Sequence, residues 1–189
     1  YGEVWANNIK EVLKDSEDKV IYIKDFIDEL HTSFSNIKKM DASNLPYLKD
    51  LRELSIPVFV YPFIIKGYKF FGDNEEKLNT LYHILEVAVF RYRLINSRAD
   101  IISRLNEILT KFNGDLNDLK EHFKAKFNDA WYWGDNRVEE YLDGHMWKNR
   151  VVHYLLWRYE KHIQNKGYDI GNGSIEDEQI EHISPRTPT

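Results

Sequence analysis

Seven histidines and no cysteine set the limits of the chemistry this chain can attempt. Without a thiol there is no cysteine nucleophile, no thiolate-ligated zinc site and no disulfide framework. His145, His153 and His162 lie on or beside one helical stretch, but spacings of 8 and 9 miss the i, i+4 pair that lets two imidazoles share a metal. His31, His83 and His122 stand singly and read as surface or hydrogen-bonded helix positions. Arg91, Arg93, Arg98 and Arg104, with Tyr92 among them, are residue types that hold phosphates and stack on bases. The competing and favoured reading pairs them with Glu86, Asp100 and Glu107 in ordinary ion pairs. Trp131, Trp133, Trp147 and Trp157 offer faces for a base, yet large aromatics near helix joints more often fill a core. No Walker-type Gly-rich loop is found, so nucleotide hydrolysis is not expected. One ionisable pair remains, Glu181-His182, flanked by Ile180 and Ile183.

The elements that must position such residues are helices. With 42% hydrophobic and 14% aromatic residues, 189 residues can bury one full core, or one domain plus the beginning of another. A net charge of -5 gives no general electrostatic attraction to nucleic acid. The longest apolar run, residues 56–65, is about half of the ~20 residues a membrane span needs, so no membrane partner is expected. The opening Tyr1-Gly2-Glu3 carries no initiator Met and no signal-like segment, and the chain reads as a fragment of a cytoplasmic protein.

Val20, Ile23, Ile27, Leu30, Phe34 and Ile37, spaced 3, 4, 3, 4, 3, line one face of a helix, with Asp15 or Ser16 as its cap; packing inside a bundle is favoured over a coiled coil. A short helix around Leu45 to Leu54 carries Pro46 in its first turn. Another runs from about Val58 to Phe70 and ends near Gly72. Asp73 and Glu76 form a capping-box pattern before a long helix with Leu78, Leu81, Leu85, Ala88, Val89 and Tyr92. Ser97 and Asp100 restart a helix that ends near Gly114, and Asp115 caps the next, with Leu119, Phe123 and Phe127 on one side. A corner at residues 131–136, a short helix to Leu142, a break at Gly144 and a long helix from Met146 to about Asn165 complete the body. The expectation is an all-α, irregular bundle of about seven or eight helices over residues 1–166. A Gly-rich linker at 167–174 follows, then a short truncated β element at 175–189.

Tyr154-Leu155-Leu156-Trp157-Arg158-Tyr159-Glu160-Lys161-His162, the Gly-rich link, and Ile180-Glu181-His182-Ile183-Ser184-Pro185-Arg186-Thr187-Pro188 together resemble the C-terminal half of GmrSD-type restriction proteins. These are modification-dependent (type IV) bacterial defence enzymes. Leu85 to Ile108 is similar to the helical middle of that family. The resemblance implies that Ile180 to Pro185 opens an HNH-like, His-Me finger nuclease domain, with His182 as general base and Glu181 as a metal ligand. In that chemistry a His activates the water that attacks phosphorus, while a divalent cation (Mg or Mn) stabilises the transition state and the leaving oxygen. The resemblance also implies DNA as partner and an N-terminal ParB-like nucleotide-binding domain elsewhere in the parent. Arg186 departs from the family's Gln, and the Gly-Asn-Leu turn, second strand and metal-binding helix are missing. The fragment is therefore expected neither to cut nor to hold metal alone; whether it forms a homo-oligomer stays open. The alternative is a non-catalytic helical protein-protein interaction module.

Overall fold

A computed structural model of the chain describes residues 6–15, 18–127, 132–144, 146 and 149–164. Among them are nine α-helices: α1 (Ala6–Asp15), α2 (Lys19–Ala42), α3 (Pro46–Glu53), α4 (Tyr61–Phe71), α5 (Glu75–Ile95), α6 (Ile101–Lys111), α7 (Leu116–Phe127), α8 (Asp135–Asp143) and α9 (Val152–Gln164). A 3-10 turn, Val58–Val60, precedes α4, and the described residues contain no strand. The all-α expectation holds, with more helices than the seven or eight read from periodicity. None is long and apolar enough to cross a membrane. The linker at 167–174 and the β element at 175–189 lie outside the described residues.

The hub is α5. Leu78, Leu81, Tyr82, Ile84, Leu85, Ala88 and Val89 are all buried, and α3, α4, α7 and α8 all pack on this helix, so it is enclosed around most of its circumference. Closeness to α4 depends on one glycine. A Cβ at Gly67 would lie 2.2 Å from Leu81 Cδ2, so with any other residue there the buried Leu81 methyl would have to move for the helices to stay this close. Tyr68 and Tyr82 hydroxyls meet at 3.3 Å inside this contact. Burial and that partner push the Tyr82 phenol well above its usual range. Phe63, Phe123, Phe127 and the fully buried Trp133 continue the core as a tilted aromatic series.

Local signals explain most boundaries. Pro46 starts α3 without losing a hydrogen bond, Gly72 (φ 56) closes α4, and the Asp115 carboxylate accepts from Asn117 and Asp118 to start α7. Three expectations shift. Asp18, not Asp15 or Ser16, caps α2 by accepting from Val20 N and Ile21 N. Asn74 rather than Asp73 caps α5, because Asp73 is drawn to Lys39 at 2.7 Å. α9 begins at Val152 instead of Met146, after Asn149 has turned the chain by accepting from Val151 N.

The largest departure concerns α2. Its end is fixed to α3 by Arg52, which donates to the carbonyls of Met40, Asp41 and Ser43, and its Asn36 and Met40 are buried. The stripe expected to pack in the bundle does not: Val20, Ile23, Ile27, Leu30 and Phe34 are exposed, Phe34 at 61%. What faces the body is the neighbouring face, with Tyr22, Phe26 and Ser33 half-buried and Glu29 paired to Lys69 of α4.

Candidate functional site

A polar cluster joins α3, α5 and α9. Asp50, on α3 between Leu48 and Leu51, is 5% exposed, and its carboxylate takes Arg158 Nη1 at 2.7 Å and Lys161 Nζ at 3.2 Å from α9. Glu86 of α5, 4% exposed, accepts the hydroxyl of Tyr154, also on α9. Tyr154, Arg158 and Lys161 are spaced 4 and 3, so one face of α9 delivers all three contacts. His83 stacks on Tyr47 with ring centres 4.1 Å apart and brings Nδ1 within 3.3 Å of Glu86 Oε2. That geometry makes no hydrogen bond, and both atoms are buried without one. The Arg158 guanidinium also lies over Tyr47, 5.8 Å from the ring centre.

Two carboxylates in such a place are costly to bury without donors. Burial, the Glu86 charge and the hydrogen bond to Glu86 push the Tyr154 phenol far above its usual range, so it stays a donor. Burial disfavours the Arg158 cation, but Tyr154, Glu86 and Asp50 more than offset it, and the net direction is upward. The cluster is thus a lock between α9 and the α3–α5 pair. Its hydrogen bonds run from α9 to α3 and α5, and their effect is to fasten α9.

Arg91 and Arg93 reach other partners than Glu86, Asp100 and Glu107, while the Glu107 carboxyl is held below its usual range first by the hydrogen bond and charge of Lys126, with Arg104 among the cations that add to it. Arg91 donates to the Trp133 carbonyl at 2.9 Å and pairs with Asp135, tying the 133–135 corner to α5. Arg93 donates to the Ser55 carbonyl, and Arg104 lies 4.6 Å from the Tyr132 ring centre. Arg98 is exposed. Glu107 pairs with Lys126 and Asp100 caps α6. Among the tryptophans, Trp133 is core and Trp157 half-buried under Lys161; Trp131 and Trp147 lie outside the described residues.

Of the remaining histidines, His122 stands 3.4 Å from Asp118, while His31, His153 and His162 are exposed. His145 lies outside the described residues, as do Glu181 and His182, the expected metal ligand and general base. Among the described residues no three His, Asp or Glu groups converge as a metal site. Residue spacing alone missed the lock, although a charged Asp50 set between Leu48 and Leu51 on a short amphipathic helix was a signal for it. It also missed Arg137 and Arg150, which line a cleft with Arg93. No family model matches this chain, and no curated protein or solved structure is found to be similar to it.

Proposed function

We propose that this chain is the helical scaffold of a bacterial DNA restriction protein of the GmrSD type, whose nuclease element opens at Glu181-His182. The observation that supports it is the lock on α9. The helix leading toward residues 180–185 is fastened to α3 and α5 through Asp50 and Glu86, two carboxylates otherwise costly to bury. In this reading the body holds the base of the nuclease element still, and catalysis belongs to residues beyond it. His182 is the general base, Glu181 a ligand of Mg or Mn, and DNA the partner of the parent. The parent is tested by plasmid cleavage with divalent metal and nucleotide present, wild type against His182→Ala. Cleavage by the first and none by a folded second is expected; no cleavage by either sinks the nuclease reading.

A second reading, a protein-interaction module without a catalytic parent, is favoured by the exposed stripe of α2. Its 3, 4, 3, 4, 3 spacing is the seam geometry of a coiled coil. Lys24, His31 and Lys38 flank one edge of the seam and are all exposed. A second copy would set these like residues against each other in an antiparallel pair, so the occupant that fits is an amphipathic helix with acidic flanks. A gene that continues past Thr189 with no Gly-Asn-Leu turn and no metal-binding helix would favour this reading over the first.

A further inference from the structure

The C-terminal end of α5, α8 and the residues Gly144, Met146, Asn149 and Arg150 line a cleft of about 950 Å³ that neither reading uses. Arg93, Arg137 and Arg150 line it, against one carboxylate, Glu140. Three guanidiniums and one carboxylate leave two positive charges in one cleft of a chain whose net charge is -5. Each cation is incompletely used. Arg93 donates through Nη2 to the Ser55 carbonyl while its Nε is buried with no partner. Arg137 pairs through Nη1 with Glu140, and its Nε is likewise buried and unpartnered. Arg150 is exposed and makes no hydrogen bond or ion pair with any described residue.

Guanidiniums gathered in one concavity repel each other and lose hydration, and an anion that accepts from several at once relieves both costs. The other polar groups suit that task. Asn149 spends its amide on the Leu94 carbonyl and so holds the wall in place, and Asn96, held left-handed at the end of α5 (φ 46), sits on the rim with an exposed side chain. The volume exceeds what a bare inorganic ion fills and suits a ligand of nucleotide size. We infer that this cleft binds a phosphorylated small molecule, with Arg137 and Arg150 on the phosphate and Arg93 supplying charge from the wall. The inference is independent of the nuclease reading, since no residue of 175–189 takes part.

The test is calorimetric titration of the 189-residue chain with ADP and with inorganic phosphate, and with a short DNA duplex as a separate arm. ADP should bind with one-to-one stoichiometry, and phosphate more weakly at the same place. Arg150→Gln and Arg137→Gln should each weaken ADP by about tenfold or more, the ratio that accompanies loss of a hydrogen bond to a charged group. Arg150→Lys should recover part of it, and circular dichroism should show the same helical content in every variant. No binding of either probe by the wild type overturns the inference, as does ADP binding that both Gln variants leave unchanged. Duplex binding that depends on Arg150, with no response to ADP or phosphate, replaces the small ligand with a nucleic-acid surface.

Discussion

α2 and α5 are helices of similar length, 24 and 21 residues, and each carries apolar residues at helical spacing. One is exposed along that stripe, while the other is enclosed on nearly all sides. Helical periodicity reports that a face exists and says nothing about which element covers it. On α5 the covering is over-determined, because α3, α4, α7 and α8 all converge there and Gly67 lets α4 come close. On α2 the buried residues are Asn36 and Met40 of the adjacent face, Glu29 pairs with Lys69 of α4, and the seam points elsewhere.

The comparison breaks most severely at Leu81. This residue is fully buried at the α4 contact, and Leu81→Ala removes its side chain from a site where Gly67 offers nothing to fill the gap. A loss of about 3 kcal/mol is expected in urea unfolding, within the range for large-to-small changes in a rigid core. A loss below about 1 kcal/mol would mean that α5 is not the hub, because even surface changes reach half that size.

Next in size is the lock. Tyr154→Phe deletes the only hydroxyl that reaches Glu86 among the described residues and leaves a carboxylate 4% exposed without its donor. A loss of about 1 to 3 kcal/mol near neutral pH is expected for an orphaned buried acceptor. The pH dependence has a fixed sign. Tyr154 and Tyr82 hold their protons in the folded state far above the tyrosine range, chiefly through burial. Their contribution is complete below the unfolded pKa of about 10 and is lost as pH rises past it. Wild-type stability should therefore fall on going from about pH 8 to about pH 11, and Tyr154→Phe should fall less over the same interval because it has one fewer phenol to ionise. Equal slopes for the two proteins would show that Tyr154 is not held as the structure has it.

How much of this was legible in the sequence differs by element. Caps and breakers such as Pro46, Gly72, Asp100 and Asp115 act within a few residues, so local sequence places those boundaries nearly where they fall. Asn74 displaced Asp73 because Lys39, 34 residues away in the chain, takes the Asp73 carboxylate. Asp50 and Arg158 are 108 residues apart, and no local pattern announces that they pair. Arg91, Arg93 and Arg104 were legible as a group, but the Trp133 and Ser55 carbonyls and the Tyr132 ring that they also engage are backbone and aromatic groups that charge patterning does not register. Glu181 and His182 lie outside the described residues, and the roles proposed for them come from the sequence resemblance.

The smallest expected effect is on the seam. Ile27→Ser and Phe34→Ser alter side chains that are more than half exposed, so each should change urea stability by no more than about 0.5 kcal/mol. That near-silence is informative because the same kind of change at Leu81 is costly: an apolar side chain stabilises only in proportion to the area it removes from water. A drop of about 2 kcal/mol or more, dependent on protein concentration, would mean that the seam is already covered in solution. Sedimentation then identifies the cover. A wild-type dimer that Phe34→Ser returns to monomer would assign the seam to a second copy, despite the like residues Lys24, His31 and Lys38 along its edge. A monomer in both cases rules out a second copy and leaves the stripe open to the acidic-flanked helix proposed above.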